Sequence, residues 1–278
     1  MRRTRTHRFS LASPAIEVDR IRMGEAISEE FQTIPAATVV TFRHAADGGL
    51  PELLMVQRAK EMRFAGGTAV FPGGRVDPQD HELAARLAPG ACPELTAARI
   101  AGIRETLEET GLAIAMGALS ESDAIAARAL AIAEGGLAPV LERWNLSLDL
   151  DAVVPFAHWC PRWNGAFDTR FFLYDLGTGA VDLAVDATEN TRLFWSSAAN
   201  ALAMADAGEI AVIFPTRRNL ERLAQFASFA EARDHAERTP IRVIAPRQEH
   251  RDGEVHLVIP EGLGYPVTAQ ALATVRRG

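Results

Sequence analysis

Nine consecutive residues, Arg104-Glu105-Thr106-Leu107-Glu108-Glu109-Thr110-Gly111-Leu112, constrain this chain more than any other stretch. Glu105, Glu108 and Glu109 stand at i, i+3 and i+4, so in a helix they project from one face. Like charges at that spacing repel by roughly 0.2–0.5 kcal/mol per pair. A fold gains by gathering three of them beside an arginine when a cation sits between, and hard carboxylate oxygens suit Mg²⁺ or Mn²⁺. Such ions commonly arrive with substrate phosphates, so the stretch points to phosphate chemistry. The bland alternative is a solvated acidic face with Arg104 in ordinary i,i+4 pairing to Glu108. On the opposite side, Ile100, Ile103 and Leu107 recur at helical spacing between Leu95 and Thr110, and Gly111 is placed to end the helix in the left-handed region.

The rest of the chain sets limits. Its 278 residues suffice for a sizeable core in one elaborated domain or two small ones. No apolar run approaches the ~20 residues that cross a bilayer. A formal net charge of −7 argues against broad nucleic-acid binding. Lys60 is the only lysine among 29 Lys plus Arg, leaving 28 arginines, which codon bias explains more simply than phosphate binding. Cys92 and Cys160 form no Cys-x-x-Cys pair and read as packing residues in a reducing compartment. The basic start lacks the apolar core of a secretory signal, and the end, Val275-Arg276-Arg277-Gly278, is not a Ser-Lys-Leu-type signal, so a cytoplasmic location is expected.

The pattern along the chain mixes strands and helices, an α/β class. Residues 1–34 read as a lead-in. Thr38–Phe42 and Glu52–Val56 read as strands joined at Ala46-Asp47-Gly48-Gly49, and Thr68–Phe71 as a third strand ending at Pro72-Gly73-Gly74. Residues 120–145 read as two helices split at Gly135-Gly136 and Pro139, with Ser120 or Ser122 as N-cap. Val153–Trp159, Asp168–Leu176 and Leu193–Trp195 are further strands. A helix capped at Ser196 or Ser197 follows, then one from near Thr216 through Leu220, Leu223 and Phe226. Ile241–Ile244 and Val255–Ile259, around Asp252-Gly253, read as a terminal hairpin extending over 241–278.

With Phe71-Pro72-Gly73-Gly74 before it, the acidic stretch resembles the Nudix box, the signature of enzymes that hydrolyse nucleoside diphosphates linked to another moiety. The Arg-Glu-aliphatic-x-Glu-Glu-x-Gly-aliphatic run is complete apart from Thr106 at the first aliphatic position. The glycine half departs from the pattern: 29 residues separate Gly74 from Arg104 where the family has 13, and Thr96 stands where counting back from Arg104 puts the first glutamate. An insertion over about 77–94 accounts for this, read either as a lid or specificity element or as a dimer contact. The resemblance implies an α/β/α sandwich with a curved mixed sheet, occupying residues 35–240.

Further stretches resemble the acyl-coenzyme A diphosphatase branch of that family. They are Leu53-Leu54-Met55-Val56-Gln57-Arg58, Val70 through Asp77, Phe167-Asp168-Thr169-Arg170-Phe171-Phe172-Leu173, and Trp195 through Leu202 with Phe214-Pro215-Thr216. The resemblance implies hydrolysis of coenzyme A or its acyl esters to 3′,5′-ADP and (acyl-)4′-phosphopantetheine, with Mg²⁺ or Mn²⁺. Glu108 and Glu109 are implied as metal ligands, Glu105 as ligand or base, and Arg104 as the residue orienting Glu105. A carbonyl of Gly73 or Gly74 is a further oxygen donor. Glu189, ahead of Asp186, is the expected extra acid from a distant loop. Arg58, Lys60, Arg63 and Arg170 are the cations available to a 3′-phosphate. The expected partner is a small diphosphate, with neither nucleic acid nor membrane. Two alternatives stay open: another diphosphate such as ADP-ribose or a dinucleotide, and a silent Nudix domain that senses nucleotides or binds a protein.

Overall fold

The structure is a computed structural model that describes residues 31–59, 65–178 and 190–275. Lys60, Arg63, Asp186 and Glu189 lie outside the described residues, as do the first thirty residues of the expected lead-in.

Strand β1 (Ile34–Arg43) organises the chain. Its Ala37 and Val39 enter one apolar core while Val40 and Phe42 enter another, so both faces of the strand are covered. It runs parallel to β6 (Phe167–Asp175) from Ile34↔Phe167 to Phe42↔Asp175. Strand β2 (Glu52–Arg58) pairs antiparallel with the end of β1 only at Phe42↔Leu53 and Arg43↔Glu52, then diverges. After β3 (Ala69–Val70), the short β4 (Gly73–Arg75) takes the vacated edge, pairing with Ala36–Thr38. Strands β5 (Val154–Trp159), β7 (Asn190–Ser197) and β8 (Val243–Ile244) complete a mixed eight-stranded sheet. The α/β class and the mixed sheet between helices agree with the sequence reading.

Helices cover both faces. On the side of Ala37 and Val39 lie α1 (Pro78–Leu87), α2 (Pro93–Thr110), α3 (Glu121–Glu134) and α4 (Ala138–Trp144). On the side of Val40 and Phe42 lie α5 (Ala198–Asp206), α6 (Phe214–Leu223) and α7 (Phe229–Arg238). The caps follow the sequence: the Asp123 amide donates to Ser120 Oγ at 3.1 Å, and the Asn200 amide to Ser197 Oγ at 3.2 Å. Gly111 ends α2 at φ 75°, its N–H on the Leu107 carbonyl at 2.8 Å. None of the described helices is long and apolar enough to cross a membrane.

Two element readings need correction. The α6 helix stops at Leu223 rather than running through Phe226, and Ser228 caps a separate α7. The insertion contains α1, whose Leu83 and Ala84 pack into the core shared with α2. The terminal hairpin pairs β9 (Arg247–Arg251) with β10 (Glu254–Val258) around Asp252-Gly253, and β11 (Ala269–Ala271) adds a third strand. Ile241–Ile244 is not its first arm, because Val243 and Ile244 pair instead with His158 and Trp159 at the edge of the main sheet. Apolar runs mark strands but not their partners, and the more polar Arg247–Arg251 makes the closer antiparallel match.

Helix α2 sits against β1 through Gly102, where an added Cβ would come within 2.7 Å of Val39 Cγ2. Introducing bulk here forces helix and strand apart, an overpacking cost of about 1–3 kcal/mol. Gly102→Val is therefore expected to lower the midpoint of urea unfolding by a matching amount. An unchanged midpoint would show that α2 does not depend on this close approach.

Candidate active site on helix α2

The functional side chains are assembled by two features already described: the gap left where β2 leaves β1, and the helix packed over it. Strand β4 fills the gap and brings Gly73 and Gly74 under α2. The Gly73 amide donates to Glu109 Oε2 at 3.0 Å, and a Cβ on Gly74 would overlap the Glu105 carboxylate. The second glycine is thus a matter of space for Glu105 rather than of backbone freedom.

Arg104 is the hub. It is 3% exposed and uses each nitrogen of its fork. Nε and Nη2 grip Asp80 Oδ1 and Oδ2 at 3.1 and 3.0 Å, a bidentate pair with a carboxylate itself 1% exposed. Nη2 also donates to the Arg75 carbonyl at 2.8 Å and lies 3.5 Å from Asp77 Oδ2. Nη1 donates to Glu105 Oε1 at 2.9 Å and Glu108 Oε2 at 3.1 Å, so two of the three acids converge on one nitrogen. Asp80 in turn accepts the Asp77 amide at 2.9 Å, which fixes the first turn of α1.

The electrostatics follow from this crowding. Burial pushes the Glu105 carboxyl up to about 7, with the neighbouring Glu108 adding to the rise and Arg104 opposing it. Burial likewise raises Glu108, again against Arg104. Arg104 is held charged despite its burial by Asp80, Glu105 and Glu108. A carboxyl poised near neutrality can accept a proton at working pH.

Among the described residues no group of three or more His, Cys, Asp or Glu side chains stands as a ready-made metal cage. Glu105 and Glu108 face Arg104, while Glu109 takes the Gly73 amide. The donor set nonetheless suits a hard divalent ion. The two half-buried carboxylates are both penalised by desolvation, and Glu108 raises Glu105 further, so a cation beside them would relieve that penalty.

Counting back from Arg104 puts Thr96, which is no acid, in the place of the box's first glutamate, and the structure brings an acid to Arg104 from elsewhere. Thr96 spends its hydroxyl on the Cys92 carbonyl of its own helix, 3.0 Å away. Asp80 is the acid that meets Arg104. Counted forward from Gly74, it falls where the family's first glutamate falls, so the extra residues lie between Asp80 and Arg104. Of the cations singled out, Arg58 ends β2 with its Nε buried and without a hydrogen-bond partner. Arg170 lies across β1 from Gly74, both being paired with Ala37, and its charge acts on Glu94, Asp168 and Cys160. Arg58 sits on β2 and Arg170 on β6, with β1 between them in the sheet order. Trp159 is core, bonded to the Tyr265 hydroxyl at 3.0 Å, and Cys92 is exposed rather than packed. His158, given no role from sequence, pairs with Asp168 on the adjacent strand.

Breaking a buried ion pair from one side costs about 3–5 kcal/mol, and less where other acids still face the arginine. Asp80→Asn is expected to lower the thermal midpoint by several degrees, whereas Thr96→Ala leaves it nearly unchanged. Equal effects in a melting experiment would remove Asp80 from the role given to it.

No protein-family model matches the chain, and no curated protein matches it. Solved structures do. A Nudix hydrolase from Alicyclobacillus acidocaldarius is 28% identical, with a TM-score of 0.62 over 74% of this chain and 97% of that one. An Ap4A hydrolase binary complex from C. elegans is 19% identical with a TM-score of 0.35, over 63% of this chain and 88% of that one. The Nudix domain of Shewanella oneidensis NrtR, complexed with ADP ribose, is 14% identical with a TM-score of 0.34, over 68% and 84%. These last two superpose loosely. The first has the same fold along nearly its whole length, and together with the box folded as glycine strand and acidic helix it supports the Nudix superfamily for this chain.

Proposed function

We propose that the chain is a divalent-metal-dependent Nudix pyrophosphohydrolase acting on coenzyme A or acyl-coenzyme A, releasing 3′,5′-ADP and (acyl-)4′-phosphopantetheine. The likeness to the Alicyclobacillus hydrolase supports a Nudix pyrophosphohydrolase. The observation that carries the chemistry is the convergence of Glu105 and Glu108 on Arg104 beside Gly74. The coenzyme A assignment rests on the branch motifs around Arg58, Phe167–Leu173 and Phe214-Pro215-Thr216.

Glu105, Glu108 and Glu109 would hold Mg²⁺ or Mn²⁺, with a carbonyl of Gly73 or Gly74 as a further donor. Such an ion supplies charge neutralisation at the diphosphate oxygens and acidifies bound water. The protein does the rest. Arg104 holds the Glu105 carboxylate in one orientation through Oε1, leaving Oε2 to take the proton of the attacking water. Water oxygen bonds to phosphorus, the bridging P–O bond breaks, and the leaving phosphate keeps the electron pair. Arg58, Lys60, Arg63 and Arg170 are the cations offered to the 3′-phosphate, and Glu189 the acid offered from the distant loop.

Mass spectrometry of products from coenzyme A, ADP-ribose and a dinucleoside polyphosphate, with and without Mg²⁺, tests the substrate. Rapid, Mg²⁺-dependent appearance of 3′,5′-ADP is expected. ADP-ribose cleavage with coenzyme A intact would move the chain to another branch, and no turnover of any of them would favour the nucleotide-sensing alternative. Glu108→Gln should lower kcat by at least about 100-fold, as loss of a charge-stabilising group does, with folding retained by circular dichroism. Gly74→Ala should cost activity in the same assay, since the methyl displaces Glu105.

A further inference from the structure

Helix α3 supplies none of the residues of the hydrolase site described so far, yet one of its side chains reaches the acidic helix. Arg128, half-buried, donates from Nε to the backbone carbonyl of Glu108 at 2.8 Å, across 20 positions of sequence. Among the described residues the guanidinium makes no other hydrogen bond or ion pair. Its one polar engagement is with the last turn of α2.

The carbonyl is available because α2 stops there. Were the helix to continue, the Leu112 amide would bond back to Glu108. Gly111 turns the chain into the left-handed region instead, and the Leu112 amide donates to Thr110 Oγ1 at 3.1 Å. Carbonyls of a last helical turn need partners from outside, and a cation there also meets the negative end of the helix dipole. Arg128 answers both needs. The rest of α3 fixes where it stands: Ala127 and Ala131 share an apolar core with Ile103 and Leu107 of α2, and Asp123 accepts Trp144 Nε1 of α4 at 2.9 Å.

The bonded carbonyl belongs to the peptide unit that joins Glu108 to Glu109. The carbonyl of the first and the amide of the second share one rigid plane. Holding that plane restricts the backbone on either side of it, so a single hydrogen bond bears on the direction of two side chains. The contacts of Glu108 with Arg104 Nη1 and of Glu109 with the Gly73 amide act at the carboxylate ends. Arg128 acts on the backbone between them.

We propose that Arg128 is a positioning residue of the hydrolase site, holding the Glu108–Glu109 peptide so that both carboxylates stay aligned for a divalent cation. This rests on the assignment of Glu108 and Glu109 as metal ligands under the proposed function. Groups that orient a metal ligand from behind contribute ~10–100-fold in metal affinity.

Mn²⁺ binding to the full chain, followed by the free-ion signal in electron paramagnetic resonance, tests this without turnover. Arg128→Met keeps the apolar stem but loses the donor, and is expected to weaken Mn²⁺ binding by about tenfold or more. Arg128→Gln can place an amide N–H where Nε stands while removing the charge. It is expected to bind within about threefold of wild type, a neutral hydrogen bond replacing a charged one. Circular dichroism checks folding, and Arg128→Ala, with the best helix-forming residue, takes the place of the Met variant if that one does not fold. Weakening in the Met variant that Gln restores supports the assignment. Unchanged or tighter Mn²⁺ binding in a folded Met or Ala variant, even with a lowered melting midpoint, makes Arg128 a purely structural contact and overturns it. An equal loss in the Gln variant assigns the effect to charge and overturns it as well. No Mn²⁺ uptake by the wild type removes the metal-ligand assignment and this inference together, an outcome distinct from the other two.

Discussion

One buried guanidinium holds this structure's functional half together. Arg104 could not sit 3% exposed without compensation, since an isolated buried charge costs several kcal/mol. Compensation comes from three carboxylates and a carbonyl drawn from three different segments: Asp80 on α1, Glu105 and Glu108 on its own helix, and the Arg75 carbonyl on β4. The planar fork makes this feasible, because five N–H donors in fixed directions can serve several acceptors at once. A lysine ammonium at the same place could not span them. The dominance of arginine in the composition, whatever its genomic cause, finds a structural use at this position.

Around that hub the sheet is shaped to leave room. Had β2 stayed paired along the whole of β1, the edge beside Ala36–Thr38 would be filled by an ordinary strand with side chains. Its early departure lets two glycines occupy the edge instead, and only glycines fit there. A Cβ on Gly73 would run into the Ala37 carbonyl, and one on Gly74 into Glu105. Gly102 plays the matching part on the helix, allowing α2 to come down on Val39. The acidic ridge is therefore pressed against the backbone from above and below, and this is what buries Glu105 and raises its affinity for a proton.

Much of this was legible in the sequence because the relevant signals are local. Short apolar runs marked β1, β2, β5 and β6, helical spacing marked α2, and Gly111 and the serine pairs at 120/122 and 196/197 marked helix ends through hydrogen bonds that span only a few residues. The Arg104–Glu105–Glu108 cluster was legible for the same reason. What the sequence hid were contacts across distance. Asp80 meets Arg104 across 24 positions, and only a count forward from Gly74, instead of back from Arg104, would have found it. The edge pairing of Val243 and Ile244 with β5 is hidden likewise, because an apolar dipeptide carries no record of which strand it joins. Helix α7 escaped notice because its sequence, Phe229–Arg238, is polar apart from Phe229 and three alanines, two of them the residues it buries.

The two faces of the sheet handle buried arginine in opposite ways, and this separates their chemistry. On the α2 face Arg104 is outnumbered by acids, so the local field is negative and a divalent cation is welcome. On the other face Arg222 is 2% exposed and, among the described residues, forms no ion pair with a carboxylate; it stacks over Phe156 at 3.9 Å and Tyr265 at 5.3 Å and donates to the Phe156 carbonyl at 2.9 Å. Arg218, one helical turn earlier, is matched by Glu221 and lies over Phe214 at 5.2 Å. Acids do not outnumber the arginines around Arg218 and Arg222. The metal-assisted phosphate chemistry proposed above fits the first face on these grounds. Because β1 is covered on both faces and separates them, each can be altered with little direct contact to the other.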